Sequence, residues 1–166
     1  ELISLLIQER APKHTLILGP TYSEYSRELS FSGSTQEYYH LQEERNFSLD
    51  VDDLCKTLEK GYDFLIICNP NNPTSSAIMQ EDLRKLIAFC SGKIFFVMID
   101  ETYVEFAPDI NAVTCSSSNQ RIYKSDGSAR CFQILCSTRH ASRLWNHRKQ
   151  RISRPNERKA NAMVSE

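Results

Sequence analysis

The sequence predicts an α/β fold with a mostly parallel sheet. Two apolar runs, Phe64–Cys68 and residues 94–99, are short, continuous and rich in Ile, Val and Phe, which is typical of strands buried on both faces. Between them, residues 80–90 carry apolar side chains at helical spacing, so the unit is a strand, a helix and a second strand. Polar residues follow each strand directly, at the edge where open α/β sheets bind ligands.

The other predicted elements precede this unit in the chain. The first residues already show a helical pattern with no capping residue before it. Residues 14–18 form a strand that Gly19 and Pro20 end, and Asp50 is the predicted N-cap of a helix. The remaining predictions are a helix over about 23–32, a strand over 37–41, a charged loop over 42–46 and a helix over 51–60.

Length and composition restrict the class of protein. A chain of 166 residues is long enough for one domain or part of one. The apolar runs are far too short to cross a bilayer, and no basic and then apolar leader is present, so we expect a cytoplasmic protein without a membrane partner. The six cysteines lack the spacing of a zinc site, so no metal is expected. Cys55, Cys68 and Cys90 lie in apolar or helical contexts and are expected to be buried, reduced thiols.

Two polar motifs follow the two strands of the central unit. The first is Asn-Pro-Asn-Asn-Pro-Thr at 69–74, and the second is Asp-Glu-Thr-Tyr at 100–103. Together they resemble the fold type I enzymes that use pyridoxal 5'-phosphate, in particular the histidinol-phosphate aminotransferase and threonine-phosphate decarboxylase group. Either motif alone would be a weak signal, whereas the pair is specific. The resemblance implies that residues 1–114 are part of the large three-layer α/β/α domain of that family.

The resemblance also implies roles for four residues. Asp100 matches the carboxylate that keeps the ring nitrogen of the cofactor protonated, which the electron-withdrawing chemistry of the ring requires. Tyr103 and Asn72 match the donors to the phenolic oxygen of the cofactor, and Tyr22 matches the aromatic residue stacked on its ring. Without the resemblance, Asp100 is equally well a carboxylate capping a turn at a strand end. A tyrosine packed on the following helix is the alternative for this region, and it suits Tyr25 better than Tyr22.

Two differences from the family pattern concern the backbone. Ser75 stands where the family usually has glycine, at a position where we expect a positive φ angle, which serine tolerates less well. The family also has a turn before its first helix whose N–H groups hold the cofactor phosphate. That turn does not precede the helical pattern at residue 1, so we expect residue 1 to lie inside a longer gene product.

The character of the sequence changes after Thr114. Residues 1–114 hold 9 Lys and Arg against 18 Asp and Glu, whereas residues 115–166 hold 11 against 3. The segment 115–166 is therefore a basic tail with no regular periodicity. One interpretation is a nucleic-acid-binding arm on a small acidic α/β binding module. A second is a disordered tail. A third, which we favour, is the sequence of the family translated in a shifted reading frame.

The shifted frame can be written out from the sequence. Synonymous codons chosen for residues 120–164 and translated one base later spell a string that contains Ser-Lys and then Arg-Leu-Gly-Tyr. The family sets out its cofactor-bonding lysine and its phosphate-binding arginine in this way. Lys124 and Lys149 lie in the shifted text, so neither is assigned that role and no catalytic residue is predicted.

The resemblance implies a function for the parent protein. The implied reaction moves an amino group between an amino acid or amino-phosphate donor and a 2-oxo acid, in a homodimer that binds no nucleic acid. The chain as written is expected to be inactive without the lysine.

Overall fold

A computed structural model describes residues 2–91 and 95–115 and the backbone of residues 130–134. In this part of the chain, five strands form one sheet in the order β2-β1-β3-β4-β5, and every described pairing is parallel. The strands are β1 (His14–Gly19), β2 (Thr35–His40), β3 (Phe64–Cys68), β4 (Phe96–Asp100) and β5 (Arg130–Ile134). The helices are α1 (Leu2–Arg10), α2 (Glu24–Ser32), α3 (Val51–Leu58), α4 (Gln80–Cys90) and α5 (Ile110–Val113), with 3-10 turns at Glu43–Arg45 and Val104–Phe106.

The helices α3 and α4 cover one face of the sheet. The strand side chains on this face alternate with those on the other face, because successive residues of a strand point to opposite sides. The core on this side joins strand residues such as Leu65, Ile67 and Val97 to Leu54 of α3 and Leu83 of α4, and all five side chains are almost fully buried.

The helices α1 and α2 cover the opposite face. Here Ile66 and Met98 of the strands pack with Ile7 of α1 and with Tyr25 and Leu29 of α2. These residues are also almost fully buried. The described part of the chain is therefore a three-layer α/β/α unit with a parallel sheet, which confirms the predicted fold class.

The predicted elements agree with the structure apart from their ends. The strand predicted over 94–99 is Phe96–Asp100, and the one predicted over 37–41 is Thr35–His40. The helix predicted over 51–60 ends at Leu58. Asp50 is its N-cap, as predicted, since its side chain accepts a hydrogen bond from the backbone N–H of Asp53.

The strand β5 lies inside the segment that the sequence predicts to be a basic tail. Its backbone pairs with β4 from Phe96 opposite Arg130 to Asp100 opposite Ile134. At these five residues the structure therefore differs from the expectation of a disordered tail. Residues 116–129 and 135–166 lie outside the described residues, so for them the prediction stays a prediction.

The other class predictions can be compared with the same part of the chain. Within the residues described, no helix is both long and apolar enough to cross a membrane, and no group of side chains is suited to holding a metal ion. The cysteines described there form no disulfide. Cys68 and Cys90 are buried as expected, whereas Cys55 is only half-buried.

Candidate active site at the carboxyl ends of the strands

Three loops meet at the carboxyl edge of the sheet. They follow β1, β3 and β4, which are neighbours in the sheet and run parallel. Because parallel strands end at the same edge, the polar residues after each strand are brought to one place. Tyr22, Asn72 and Tyr103 lie in these loops, and the fourth predicted site residue, Asp100, is the last residue of β4.

Asp100 is the last residue of β4 and its side chain is 4% exposed. Met98 faces α1 and α2, so Asp100, two residues later, faces the same side. The hydroxyl of Tyr25 in α2 donates a hydrogen bond to Oδ2 of Asp100 at 2.7 Å. Oδ1 accepts hydrogen bonds from the backbone N–H and the hydroxyl of Thr102.

These contacts use both oxygens of Asp100 as acceptors. An ionised carboxylate is an acceptor only, so three donors around one carboxyl group suit its charged form. One oxygen caps the turn at Thr102, which is the structural role that the sequence left open for this residue. The other oxygen is held by Tyr25 from a different layer of the fold, which a turn cap alone does not need.

Ionisation of the groups next to Asp100 is disfavoured. Burial, followed by the negative charge of Asp100, raises the pKa of Tyr25 far above its usual range. Burial also raises the pKa of the Cys68 thiol, whose residue pairs with Asp100 across β3 and β4. The carboxylate therefore lies next to a phenol and a thiol that keep their protons.

Asn72 and Tyr103 are brought together from two different loops. The Asn72 amide Nδ2 donates a long hydrogen bond of 3.4 Å to the Tyr103 hydroxyl. The Tyr103 side chain is 39% exposed and that of Asn72 is half-buried, so both remain accessible from outside. Since its oxygen accepts from Asn72, the Tyr103 hydroxyl has its own hydrogen to donate to an acceptor oxygen.

Tyr22 lies in the loop after β1 and is 45% exposed. Its ring meets the ring of the buried Tyr25 edge-on, with 5.8 Å between centroids and planes at 87°. This packing holds the Tyr22 ring in place while leaving part of it uncovered. The neighbouring Thr21 has a buried hydroxyl that finds no hydrogen-bond partner among the residues described.

Asparagine side chains link these loops to one another. The Asn71 amide donates to the carbonyl oxygen of Pro20 at 2.8 Å, which ties the loop after β3 to the loop that carries Tyr22. Asn69 is fully buried and bonds to both the N–H and the carbonyl oxygen of Ile78, and its amide also donates to the carbonyl oxygen of Val113. The loops at the carboxyl edge of the sheet are therefore held in place by side-chain amide hydrogen bonds as well as by backbone pairing.

The backbone at Ser75 has the positive φ that the sequence predicts. Its φ angle is +58°, in the left-handed region that favours glycine. The Asn71 carbonyl accepts from the N–H of Ser75 at 2.8 Å, and this bond holds the turn in that conformation. Serine is thus accommodated at this position without loss of the turn.

Glu101 follows Asp100 but has a different environment. Its side chain is 1% exposed and accepts a hydrogen bond from the Thr114 hydroxyl at 2.7 Å and from the Cys115 N–H at 2.6 Å. Gln80 donates to the carbonyl oxygen of Thr114 as well. Glu101 is thus a structural carboxylate that anchors the chain after α5.

Sequence reasoning did not assign a site role to Tyr25. It treated Tyr25 as a residue packed on its own helix, and the burial agrees with that. The signal that was available is the alternation along β4, which places Asp100 on the same face as α2. The bond between Tyr25 and Asp100 spans 75 positions of the chain, and no local pattern indicates a partner at that distance.

Comparison with known proteins places this architecture in a family. The family model described as aminotransferase class I and II matches residues 1–126, which is most of the chain and extends past Thr114. The chain belongs to this family. Membership confirms the resemblance drawn from the two motifs, and with it pyridoxal 5'-phosphate as the cofactor of the class.

The individual relatives are named either as aminotransferases or as decarboxylases. The chain is 37% identical to a histidinol-phosphate aminotransferase from Methanococcoides burtonii, over 55% of this chain and 24% of the relative. It is 34% identical to a putative threonine-phosphate decarboxylase from Caldanaerobacter subterraneus, over 66% of this chain and 29% of the relative. A decarboxylase structure from Sulfurospirillum multivorans superposes with a TM-score of 0.59 at 29% identity, covering 70% of this chain and 30% of that one. The chain therefore spans 24–30% of the length of these relatives.

Proposed function

We propose that this chain supplies the ring-binding part of a pyridoxal-phosphate-dependent enzyme that moves an amino group between an amino acid or amino-phosphate donor and a 2-oxo acid. The observation that carries the proposal is the buried Asp100 carboxylate, held by Tyr25 and Thr102 at the carboxyl end of β4. The names of the relatives support a phosphorylated substrate.

The residues present fit the cofactor ring. A buried carboxylate suits a protonated pyridine nitrogen, because a buried charge needs an opposite charge or hydrogen bonds. The partly exposed ring of Tyr22 offers a flat apolar face for stacking. Asn72 and Tyr103 offer an amide and a hydroxyl donor close together, which suits an anionic oxygen on the ring.

Each residue then has a distinct task. When bound, the cofactor withdraws electrons from the reacting carbon of the substrate. Asp100 would keep a proton on the ring nitrogen, which that withdrawal requires. Tyr22 would cover one face of the ring, and Asn72 and Tyr103 would donate hydrogen bonds to the ring oxygen.

The segment 115–166 belongs to this proposal as the product of a shifted reading frame. The lysine that bonds to the cofactor and the arginine that holds its phosphate are then encoded in the alternative frame. Sequencing the encoding DNA tests this directly, and we expect an open alternative frame that continues past the codon for residue 166. Stop codons in that frame shortly after Thr114 would exclude it.

The binding test compares the chain with two carboxylate variants. Pyridoxine 5'-phosphate has no aldehyde, so its affinity reports contacts to the ring and phosphate without covalent bonding. We expect weak binding by the chain, loss of that binding in Asp100→Asn, and no loss in the control Asp52→Asn, whose residue is exposed on α3. Absence of binding by the unaltered chain, or equal binding by Asp100→Asn, would contradict the proposal.

A second test compares amino transfer by the 166-residue chain with amino transfer by the restored protein, which is translated in the alternative frame. We expect no amino transfer by the 166-residue chain, and transfer from glutamate or histidinol phosphate once the alternative frame is expressed. Amino transfer by the chain as written, with a reduced cofactor adduct on one of its lysines, would show that the missing-lysine proposal is wrong.

A second candidate reaction is decarboxylation of a phosphorylated amino acid. It is favoured by the two decarboxylases among the relatives described above, which cover more of this chain than the aminotransferase does. Both reactions use the same ring contacts, so the described residues support them equally. Release of carbon dioxide from threonine phosphate or serine phosphate by the restored protein would favour decarboxylation over amino transfer.

The assembly and location of the parent protein complete the proposal. The parent is a cytoplasmic homodimer, and sedimentation of the restored protein tests its oligomeric state. The competing function is a small binding module whose basic arm contacts nucleic acid. That function requires an affinity for DNA or RNA that falls steeply with salt, because phosphate contacts release counterions. We expect no such binding.

A further inference from the structure

Tyr25 contacts two of the four proposed ring-binding residues. Its hydroxyl donates to Oδ2 of Asp100 at 2.7 Å, and its ring packs edge-on against Tyr22 with 5.8 Å between centroids. Asp100 is the last residue of β4, whereas Tyr22 lies in the loop after β1. A single side chain therefore joins the residue proposed for the edge of the pyridine ring to the residue proposed for its face.

The position of Tyr25 is fixed by its own packing. It is 1% exposed and lies in the first turn of α2, among the residues that pack α1 and α2 onto the sheet. Leu29, one turn later on the same helix, is fully buried in this core. A tyrosine held in this way has little freedom to rotate, so it presents its hydroxyl at a defined place.

The hydroxyl also has a defined chemical state. Burial and the nearby charge of Asp100 raise the pKa of Tyr25 far above its usual range, so the hydroxyl keeps its proton and acts as a donor at neutral pH. Asp100 then has one oxygen held by its own turn through Thr102 and the other held by Tyr25. Rotation of the carboxylate would break at least one of these bonds.

We propose that Tyr25 is a positioning residue that orients the Asp100 carboxylate and the Tyr22 ring together, so that one side chain sets both the edge and the face contacts of the cofactor ring. This inference rests on the proposed function, because it assigns Tyr25 a role toward the same ligand. The alternative is that the hydrogen bond to Asp100 only satisfies the buried hydroxyl of Tyr25 and has no effect on ligand binding.

The two parts of the role can be separated by substitution. Tyr25→Phe removes the hydroxyl and keeps the ring that packs against Tyr22. The matched control is Tyr39→Phe, because the Tyr39 hydroxyl donates to Oδ2 of Asp53 at 2.8 Å, which is the same kind of bond between two residues outside the proposed ring-binding set. Leu29→Val controls for loosening of the α2 core, since it shortens a side chain in the same core as Tyr25 and keeps the Tyr25 hydroxyl.

The first measurement needs no ligand. The carboxylate stretching bands of Asp100 are identified in the infrared spectrum as those lost in Asp100→Asn. We expect these bands to shift in Tyr25→Phe, because one oxygen loses its donor, and to stay unchanged in Tyr39→Phe and Leu29→Val. Bands that do not move in Tyr25→Phe would overturn the inference.

The second measurement is the affinity for pyridoxine 5'-phosphate. A carboxylate that must be ordered on binding costs affinity, so we expect Tyr25→Phe to bind roughly three- to tenfold more weakly. Tyr39→Phe and Leu29→Val are expected to bind within about twofold of the unaltered chain, after urea unfolding has verified that each variant is folded. If the bands shift but the affinity of Tyr25→Phe is unchanged, the role of Tyr25 toward the ligand is overturned.

The outcomes distinguish this inference from the proposed function. If the unaltered chain does not bind pyridoxine 5'-phosphate, the proposed function fails. If it binds, and Asp100→Asn abolishes binding while Tyr25→Phe binds equally well, the proposed function stands and the positioning role of Tyr25 is wrong.

Discussion

The carboxylates of Asp100 and Glu101 are adjacent in the sequence and are held on opposite faces of the sheet. Asp100 bonds to Tyr25 in the layer formed by α1 and α2. Glu101 bonds to Thr114 and Cys115, and Cys115 packs against the core formed with α3 and α4. The acidic pair therefore divides into one carboxylate at the proposed ring site and one that anchors the chain.

The anchoring role predicts a large loss of stability in Glu101→Ala. This substitution removes the buried carboxylate that accepts from the Thr114 hydroxyl and the Cys115 N–H, so we expect the free energy of unfolding to fall by about 2–4 kcal/mol. Glu101→Gln keeps an acceptor oxygen and should cost less. Urea unfolding measures both, and Glu105→Ala on the exposed surface is the control, expected within about 0.5 kcal/mol of the unaltered chain. Equal effects at Glu101 and Glu105 would contradict the anchoring role.

The amide of Asn69 predicts a difference between two substitutions. Asn69→Ala removes three side-chain hydrogen bonds in a fully buried place and should destabilise the fold by roughly 2–4 kcal/mol. Asn69→Asp should cost still more, because it puts a carboxylate where the amide donated to the carbonyl oxygens of Ile78 and Val113. The exposed Asn46→Asp is the control for the change in charge. Thermal and urea unfolding of the three variants check the order, and Asn69→Asp more stable than Asn69→Ala would refute it.

The cluster around Glu37 predicts a loss of stability in acid. The hydrogen bond from Tyr62, followed by that from His14, lowers the pKa of Glu37 below its usual value of 4.5. Since the folded value is the lower one, this contribution to stability is present above pH 4.5 and is lost as the pH falls through the folded value. We expect Tyr62→Phe to reduce this part of the acid dependence in urea unfolding between pH 6 and pH 3.

The control for that experiment is Tyr38, which lies next to Glu37 on strand β2. Tyr38 is exposed on β2, and its ring stacks on His40. Tyr38→Phe should therefore leave the acid dependence as it is in the unaltered chain. An acid dependence that is the same in Tyr62→Phe and in the unaltered chain would show that the tyrosine bond does not set the titration of Glu37.

The N-cap of α3 predicts a small and specific effect. Asp50→Ala removes the acceptor for the Asp53 N–H and should lower the free energy of unfolding by about 1 kcal/mol. Asp50→Asn keeps a capping oxygen and should stay within a few tenths of a kcal/mol. Urea unfolding compares them, and an Asp50→Asn variant as unstable as Asp50→Ala would point to the charge of Asp50 rather than to the cap.

Local patterns predict the fold of this chain well. The continuous apolar run Phe64–Cys68 is strand β3 from end to end, because both faces of that strand are covered by helices. The strand β2 is different, since most of its residues are exposed and its sequence alternates weakly. Its predicted start at residue 37 was two residues late, because an edge strand lacks the apolar signal of a buried one.

Within the candidate site, the sequence predicted which residues lie at one edge of the sheet, but it did not predict most of their contacts. The two motifs located Asn72, Asp100 and Tyr103, and the structure brings Asn72 and Tyr103 into contact. The partners Tyr25 and Thr114 were missed as contacts of the acidic pair. Such partners depend on which layers meet at the sheet edge, and this is decided by tertiary packing rather than by any local pattern.

The separation of the two cores by the sheet has a consequence for how the protein tolerates change. Leu54 lies in the core beneath α3 and Leu29 in the core beneath α2, and among the residues that the structure describes the two cores have no member in common. Substitutions that have no common neighbours contribute independently to the free energy of unfolding. A destabilising substitution in one helical layer therefore need not be offset by a substitution in the other. The side chains of each layer can change independently while the sheet between them stays the same.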